Sequence, residues 1–155
     1  MSIERNSTAL SADGISFVCG FEGFSAKPYQ DSGGVWTIGF GTAISAAQAE
    51  QYKDGITEQM ATQMMTGQLQ GFALGLIKLE LSTLMQNQFD ACCSLAYNIG
   101  LTAFSNSTIL KRIIARSTDL SPWGYWIKDA KGQVQEGLVR RRQAELKLFI
   151  YGLYQ

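Results

Sequence analysis

One stretch of this chain changes its hydrophobic period, and that change limits the fold more than any other feature. From residue 27 to 42 ("KPYQDSGGVWTIGFGT") side chains alternate. Trp36, Ile38 and Phe40 fall on one face, and Val35, Thr37, Gly39 and Gly41 on the other, after the turn "DSGG". Before and after it, apolar residues recur at helical spacing. The pattern predicts an α+β chain dominated by helix, with one small hairpin or short sheet near its start.

The helical segments carry their own start and stop signals. Ser11 or Asp13 caps a first helix that the periodicity of Ile15, Val18 and Cys19 extends to about Gly23. Ser45 with Gln48 forms a capping box, Thr57 opens a long helix towards Leu81, and Thr83 with Gln86 suggests a second box. Gly100 ends that third helix, Asn106 or Ser107 starts "TILKRIIAR", and Gly137 precedes the last, "LVRRRQAELKLFIYG". Trp123 and Trp126 are expected to pack between those two. Gly67, Gly71 and Gly75 recur every fourth residue in a segment too polar for a membrane, which predicts close packing of soluble helices.

A length of 155 residues suits one domain with a sizeable core, with disorder expected only within the first ten residues. Neither a signal sequence nor an apolar run of about 18 residues is present, so the chain reads as soluble, unanchored and made in the cytoplasm. Three cysteines and no histidine disfavour disulfides and zinc. Cys19, Cys92 and Cys93 read as small core residues, and no metal or cofactor is expected. Charge is uneven: residues 1 to 110 hold 4 Lys/Arg against 9 Asp/Glu, and 111 to 155 hold 9 against 4. The C-terminal third therefore reads as a basic surface for an anionic polymer. No nucleic-acid-binding motif accompanies it, so nucleic acid is not the expected partner.

Glu22 stands where an apolar residue belongs. At about 100° per residue it falls roughly 20° from Ile15 on the first helix, pointing along the buried row close to the helix C-terminus. Lost hydration, the negative end of the helix dipole and any second carboxylate would all favour its protonated form, which is what a general acid needs. Asp31, at the hairpin turn, is expected to stay ionised among water and backbone N–H groups. Two carboxyl groups in opposed environments suit glycoside hydrolysis, and the Thr37 hydroxyl lies across the hairpin to help hold a water. Each has a plain alternative: a frayed helix end for Glu22, and a self-capping turn for Asp31.

The whole pattern "FEGF…AKPYQDSGGVWTIGFGT" resembles the signature of the phage-type lysozymes, glycoside hydrolase family 24. In that family a helix-end Glu is followed by Asp nine residues on and Thr six further. The resemblance continues in "QNQFDACCSLAYNIG", "AFSNSTILKRI" and "GLVRRRQAELKLF", covering nearly the whole chain in order. It implies a single lysozyme-like domain over residues 1–155, with an N-terminal helix and β lobe at about 11–44, a helical lobe at about 57–155, and a glycan cleft between them. The activity implied is that of a muramidase, cutting the β-1,4 bond between N-acetylmuramic acid and N-acetylglucosamine in peptidoglycan.

Carried over by position, Glu22 is the proton donor, Asp31 activates or positions water, and Thr37 assists. Tyr97 and Ser107 are candidate sugar contacts, against the simpler roles of a packed ring and a helix cap. Arg141 is a candidate partner for Glu22. The competing reading is a surface ladder that pairs Glu136 with Arg140 and Arg141 with Glu145. Many relatives place histidine after the "G-x-G" where this chain has Thr42, a change expected to remove a structural contact. The resemblance further implies a monomeric endolysin that needs a separate holin-type protein to open the membrane. A lytic transglycosylase and an inactive glycan-binding module are the alternatives.

Overall fold

The computed structural model describes residues 7–155. Residues 1–6, where most of the expected N-terminal disorder falls, lie outside the described residues. Ser7 itself is buried, with its N–H on the Ser82 carbonyl at 2.8 Å and its hydroxyl on that of Leu84 at 3.0 Å. The chain divides into two compact units, Ile15–Leu69 and residues 7–14 with Gln70–Gln155.

In order, the elements are α1 (Ala12–Cys19), β1 (Ser25–Gln30), β2 (Trp36–Gly39), β3 (Thr42–Ala43), α2 (Ala46–Gln51), α3 (Glu58–Lys78), α4 (Gln86–Ile99), α5 (Leu101–Ser105), α6 (Thr108–Ile114) and α7 (Glu136–Tyr151). A 3-10 turn spans Ser121–Tyr125. The fold is mostly helical, with one small antiparallel sheet ordered β1-β2-β3. The predicted hairpin thus gains a third, two-residue strand, paired Thr37 to Ala43 and Ile38 to Thr42.

In the unit Ile15–Leu69, Phe17, Val18, Ile38, Phe40, Ile56, Ala61, Met65 and Leu69 are buried. Gly39 has a φ of +66°, and a Cβ there would stand 2.9 Å from that of Ala61, so only glycine lets α3 approach β2 this closely. The Ser45–Gln48 box caps α2, and the Thr57 hydroxyl accepts the Met60 N–H at 3.1 Å to open α3. Thr42 is buried, with its hydroxyl 3.4 Å from Gln68 Oε1, so this residue makes a contact of its own.

In the other unit, eight consecutive residues of α4, Phe89 to Ala96, are buried, which makes this helix the centre of its core. Burial pushes the thiols of Cys92 and Cys93 up, in keeping with core residues. Trp123 is fully buried on the 3-10 turn, with its ring 5.3 Å from that of Phe149 on α7. Of the three regularly spaced glycines, Gly75 alone meets a close neighbour: a Cβ there would fall 2.3 Å from Leu101.

Four boundaries differ from expectation. The cap of α4 is Met85, whose N–H donates to Gln88 Oε1 at 3.1 Å, two residues later than the Thr83–Gln86 box. Gly100 does end α4, at a φ of +91°, but the chain turns at once into α5, which is too short for periodicity to reveal. Gly137 is the second residue of α7 rather than its precursor. The fourth is the end of α1, which bears on the site.

Candidate active site

The turn after β1 is built by one carboxylate and the backbone of Gly33 and Val35. Asp31 Oδ1 accepts the N–H groups of Gly33 and Val35, each at 2.9 Å. The Asp31 N–H in turn donates to the Val35 carbonyl at 2.9 Å, and Gly34 closes the loop at a φ of +78°. This register sets Gln30 opposite Trp36 and Tyr29 opposite Thr37. The Thr37 hydroxyl also donates to the Val35 carbonyl, at 3.0 Å. Asp31 and Thr37 are therefore fixed to each other through the Val35 backbone, a residue the sequence reading placed only as part of the alternating face. Asp31 is exposed and Thr37 is buried.

Glu22 does not continue α1. The helix ends at Cys19, after which the N–H groups of Phe21 and Glu22 reach back only three residues, to Val18 at 3.1 Å and Cys19 at 3.0 Å. Such turns advance about 120° per residue rather than 100°, which rotates Glu22 by about 60° from the place expected on the Ile15 row. The side chain is half-buried instead of fully enclosed. It lines a pocket of about 370 Å³ with Ser16, Cys19, Phe40, Glu58 and Thr62. Its Oε2 is the nearest atom to a Cβ imagined on Gly41, at 3.9 Å, so the carboxylate lies beside the β2–β3 turn. Burial, and then the nearby Glu22 carboxylate, push the Cys19 thiol up. Glu58 and Thr62 were not anticipated here; their place at the start of α3 gives no sequence signal for this pocket.

Glu22, Asp31 and Thr37 all belong to the unit Ile15–Leu69. Tyr97, Ser107 and Arg141 belong to the other. Tyr97 is half-buried and meets Phe72 edge-on, with ring centroids 5.4 Å apart. Ser107 caps α6: its buried hydroxyl accepts the Leu110 N–H at 3.1 Å and donates to the Phe104 carbonyl at 2.6 Å.

Arg141 does pair with Glu145, with Nε 3.2 Å from Oε1, but both are buried. The surface ladder is confined to Glu136 and Arg140, at 3.6 Å. Glu145 is fully buried and also accepts Ser94 Oγ at 2.7 Å, Trp123 Nε1 at 3.0 Å and Arg142 NH2 at 2.9 Å. Arg142 Nε lies 2.8 Å from Glu145 Oε2, at an angle that makes it an ion pair and not a hydrogen bond. Two cations of the C-terminal third thus lie inside the unit, and the basic surface expected there is correspondingly smaller. Signs of this were present: Leu138, Arg141, Arg142, Glu145, Leu148 and Phe149 share one helical stripe, whose apolar members mark it as a buried face.

Among the described residues no group of three or more His, Cys, Asp or Glu side chains could hold a metal ion. Likewise, no helix is long and apolar enough to cross a membrane.

Comparison with known proteins bears on the family and the fold. The family described as phage lysozyme matches residues 19–145. The endolysin of Acyrthosiphon pisum secondary endosymbiont phage 1 is 33% identical over 146 residues, covering 90% of this chain and 97% of that protein. Among solved structures, an endolysin from Escherichia coli O157:H7 phage FAHEc1 superposes with a TM-score of 0.82 at 30% identity, covering 97% of this chain and 99% of that one. The muramidase domain of SpmX from Asticaccaulis excentricus gives 0.80 at 31% identity, covering 93% and 99%. On its sequence, its fold and the extent of these matches, the chain belongs to the phage lysozyme family.

Proposed function

We propose that this chain is an endolysin-type muramidase, a single lysozyme-like domain that hydrolyses the β-1,4 bond between N-acetylmuramic acid and N-acetylglucosamine in peptidoglycan. Glu22 gives its proton to the glycosidic oxygen. Asp31 holds and activates the attacking water, and Thr37 keeps that water in place. The observation that carries this reading is the Val35 backbone, whose N–H and carbonyl bind Asp31 and whose carbonyl also accepts the Thr37 hydroxyl. It occupies Asp31 Oδ1, and none of the described residues donates to Oδ2, which is therefore the oxygen for water.

The remaining assignments follow from the same reading. Tyr97 offers its ring to a sugar, and Ser107 has one acceptor lone pair left for a sugar hydroxyl. The partner is the glycan strand of the wall, met by a monomer made in the host cytoplasm and released by a separate holin-type protein.

Glu22→Gln tests the proposal, because the amide matches the carboxyl in shape and cannot donate the proton. Clearing of a suspension of purified walls should fall by about 10³-fold, with circular dichroism unchanged. Clearing retained at the wild-type rate would refute the role of Glu22.

A further inference from the structure

A cavity of about 530 Å³ in the helical unit has no part in the reading above. Leu81, Leu84, Ile113 and Phe149 form its apolar floor, and the exposed side chains of Glu80 and Arg116 stand on its rim. Thr83, Gln88 and Ser117 add polar groups, so the lining is more polar than apolar, which suits a small ligand that carries charged groups.

The two rim residues share an unusual backbone. Glu80 has a φ of +64° and Arg116 of +53°, whereas the chain uses glycine at its seven other positive-φ positions among the described residues. Both follow the end of a helix. The N–H groups of Glu80 and Leu81 return to Ile77 and Leu76, at 3.0 and 3.2 Å. Those of Arg116 and Ser117 return to Ile113 and Arg112, at 3.0 and 2.9 Å. This is the Schellman ending, in which glycine normally takes the left-handed place. Here that place is filled twice by a charged residue, once of each sign, on the rim of one cavity. Neither side chain has an ion-pair or hydrogen-bond partner among the described residues. Strain that is kept and left uncompensated locally points to use.

We infer that this cavity binds a short peptide bearing both a free carboxylate and a free ammonium group. Arg116 takes the carboxylate through its two-pronged guanidinium, Glu80 takes the ammonium, and the floor takes the methyl groups between them. For its ligand the inference rests on the muramidase reading: the peptide stems of peptidoglycan have this chemistry, and a site for them would hold the wall against the enzyme.

The test is titration of the whole chain with synthetic Ala-γ-Glu-Lys-Ala at low salt, followed by calorimetry or amide chemical shifts. Wild type should bind with a Kd below about 1 mM. Glu80→Gly and Arg116→Gly should each weaken binding about tenfold while raising the Tm, because glycine removes the charge and relieves the backbone together. The same peptide with every amine acetylated and every carboxylate amidated should bind no better than the variants. Three results would each overturn the proposal: no wild-type binding at about 10 mM peptide, equal binding by the double variant, or a lowered Tm in the glycine variants, which would make the charges structural. Binding is read without hydrolysis, so loss of wall clearing would count against the muramidase and not against this site.

Discussion

The chain makes the same turn twice, in "DSGGV" at 31–35 and "DAKGQ" at 129–133. In each, the aspartate N–H donates to the carbonyl four residues on, at 2.9 Å, and its Oδ1 accepts the N–H groups two and four residues on. A glycine closes each turn at nearly the same φ, +78° at Gly34 and +76° at Gly132. Even the flanking pairs correspond, Gln30 with Trp36 and Lys128 with Val134. The difference lies in the second carboxylate oxygen. Asp129 Oδ2 accepts the side-chain amide of Gln135 at 2.6 Å, whereas no described residue donates to Asp31 Oδ2. Turn geometry alone therefore does not distinguish the two aspartates. The turn fixes one oxygen of each, and on the proposed reading the other oxygen of Asp31 is the one left for water.

The sharpest way to break this comparison is to neutralise each aspartate in turn. Asp31→Asn should lower wall clearing on the order of 100-fold with little change in stability, since the amide oxygen can still accept the two backbone bonds. Asp129→Asn should leave clearing at the wild-type rate. Equal losses from both would show that the turns serve only the fold.

A smaller effect tests whether the two turns are equivalent as structure. Gly34→Ala and Gly132→Ala should each cost about 1 kcal/mol or more in chemical denaturation, and by similar amounts. Nothing stands within 4 Å of a Cβ at either position, so the backbone alone sets the penalty. A marked inequality would mean that neighbours beyond the turn hold one of them.

The smallest effect concerns pH. Backbone donation from Gln133 chiefly, opposed by lost hydration and aided by the Gln135 amide and the Lys131 N–H, holds the Asp129 carboxyl below its ordinary value of 3.8. A depressed carboxyl contributes stability that is present above about pH 4 and lost as pH falls through its folded value. Gln135→Ala should raise the Asp129 titration midpoint towards its ordinary value, measured by carboxyl-carbon NMR. An unmoved midpoint would show that the Oδ2 bond is not formed in solution.

These contrasts also show what the sequence displays and what it conceals. The sheet was legible because period two and "DSGG" are local signals, and the Ser11, Ser45 and Thr57 caps because a hydroxyl there bonds within three residues. Glu22 does not continue α1 as its spacing suggests, because periodicity cannot show that a helix tightens after Cys19. The buried carboxylates were not legible as such. Asp90 is fully buried and accepts the Ser11 N–H at 3.1 Å, the Ser11 hydroxyl, Gln86 Nε2 at 2.8 Å and Tyr154 Oη at 2.8 Å, partners up to 79 positions away. Arg141 and Glu145 read as a surface pair because a spacing of four is the same on a wet face as on a dry one. What distinguishes them is Ser94 and Trp123, brought from α4 and the 3-10 turn.

The central claim is that Glu22 and Asp31 cut a wall glycan by hydrolysis, and the chemistry of the cut ends tests it most directly. Purified peptidoglycan would be digested with wild type, Glu22→Gln and Asp31→Asn, and the released fragments examined by mass spectrometry. Hydrolysis predicts reducing muramic acid ends from the wild type, none from Glu22→Gln and few from Asp31→Asn. Anhydromuramic ends would show a transglycosylase instead, and binding to the walls with no fragments from any of the three proteins would show a glycan-binding module.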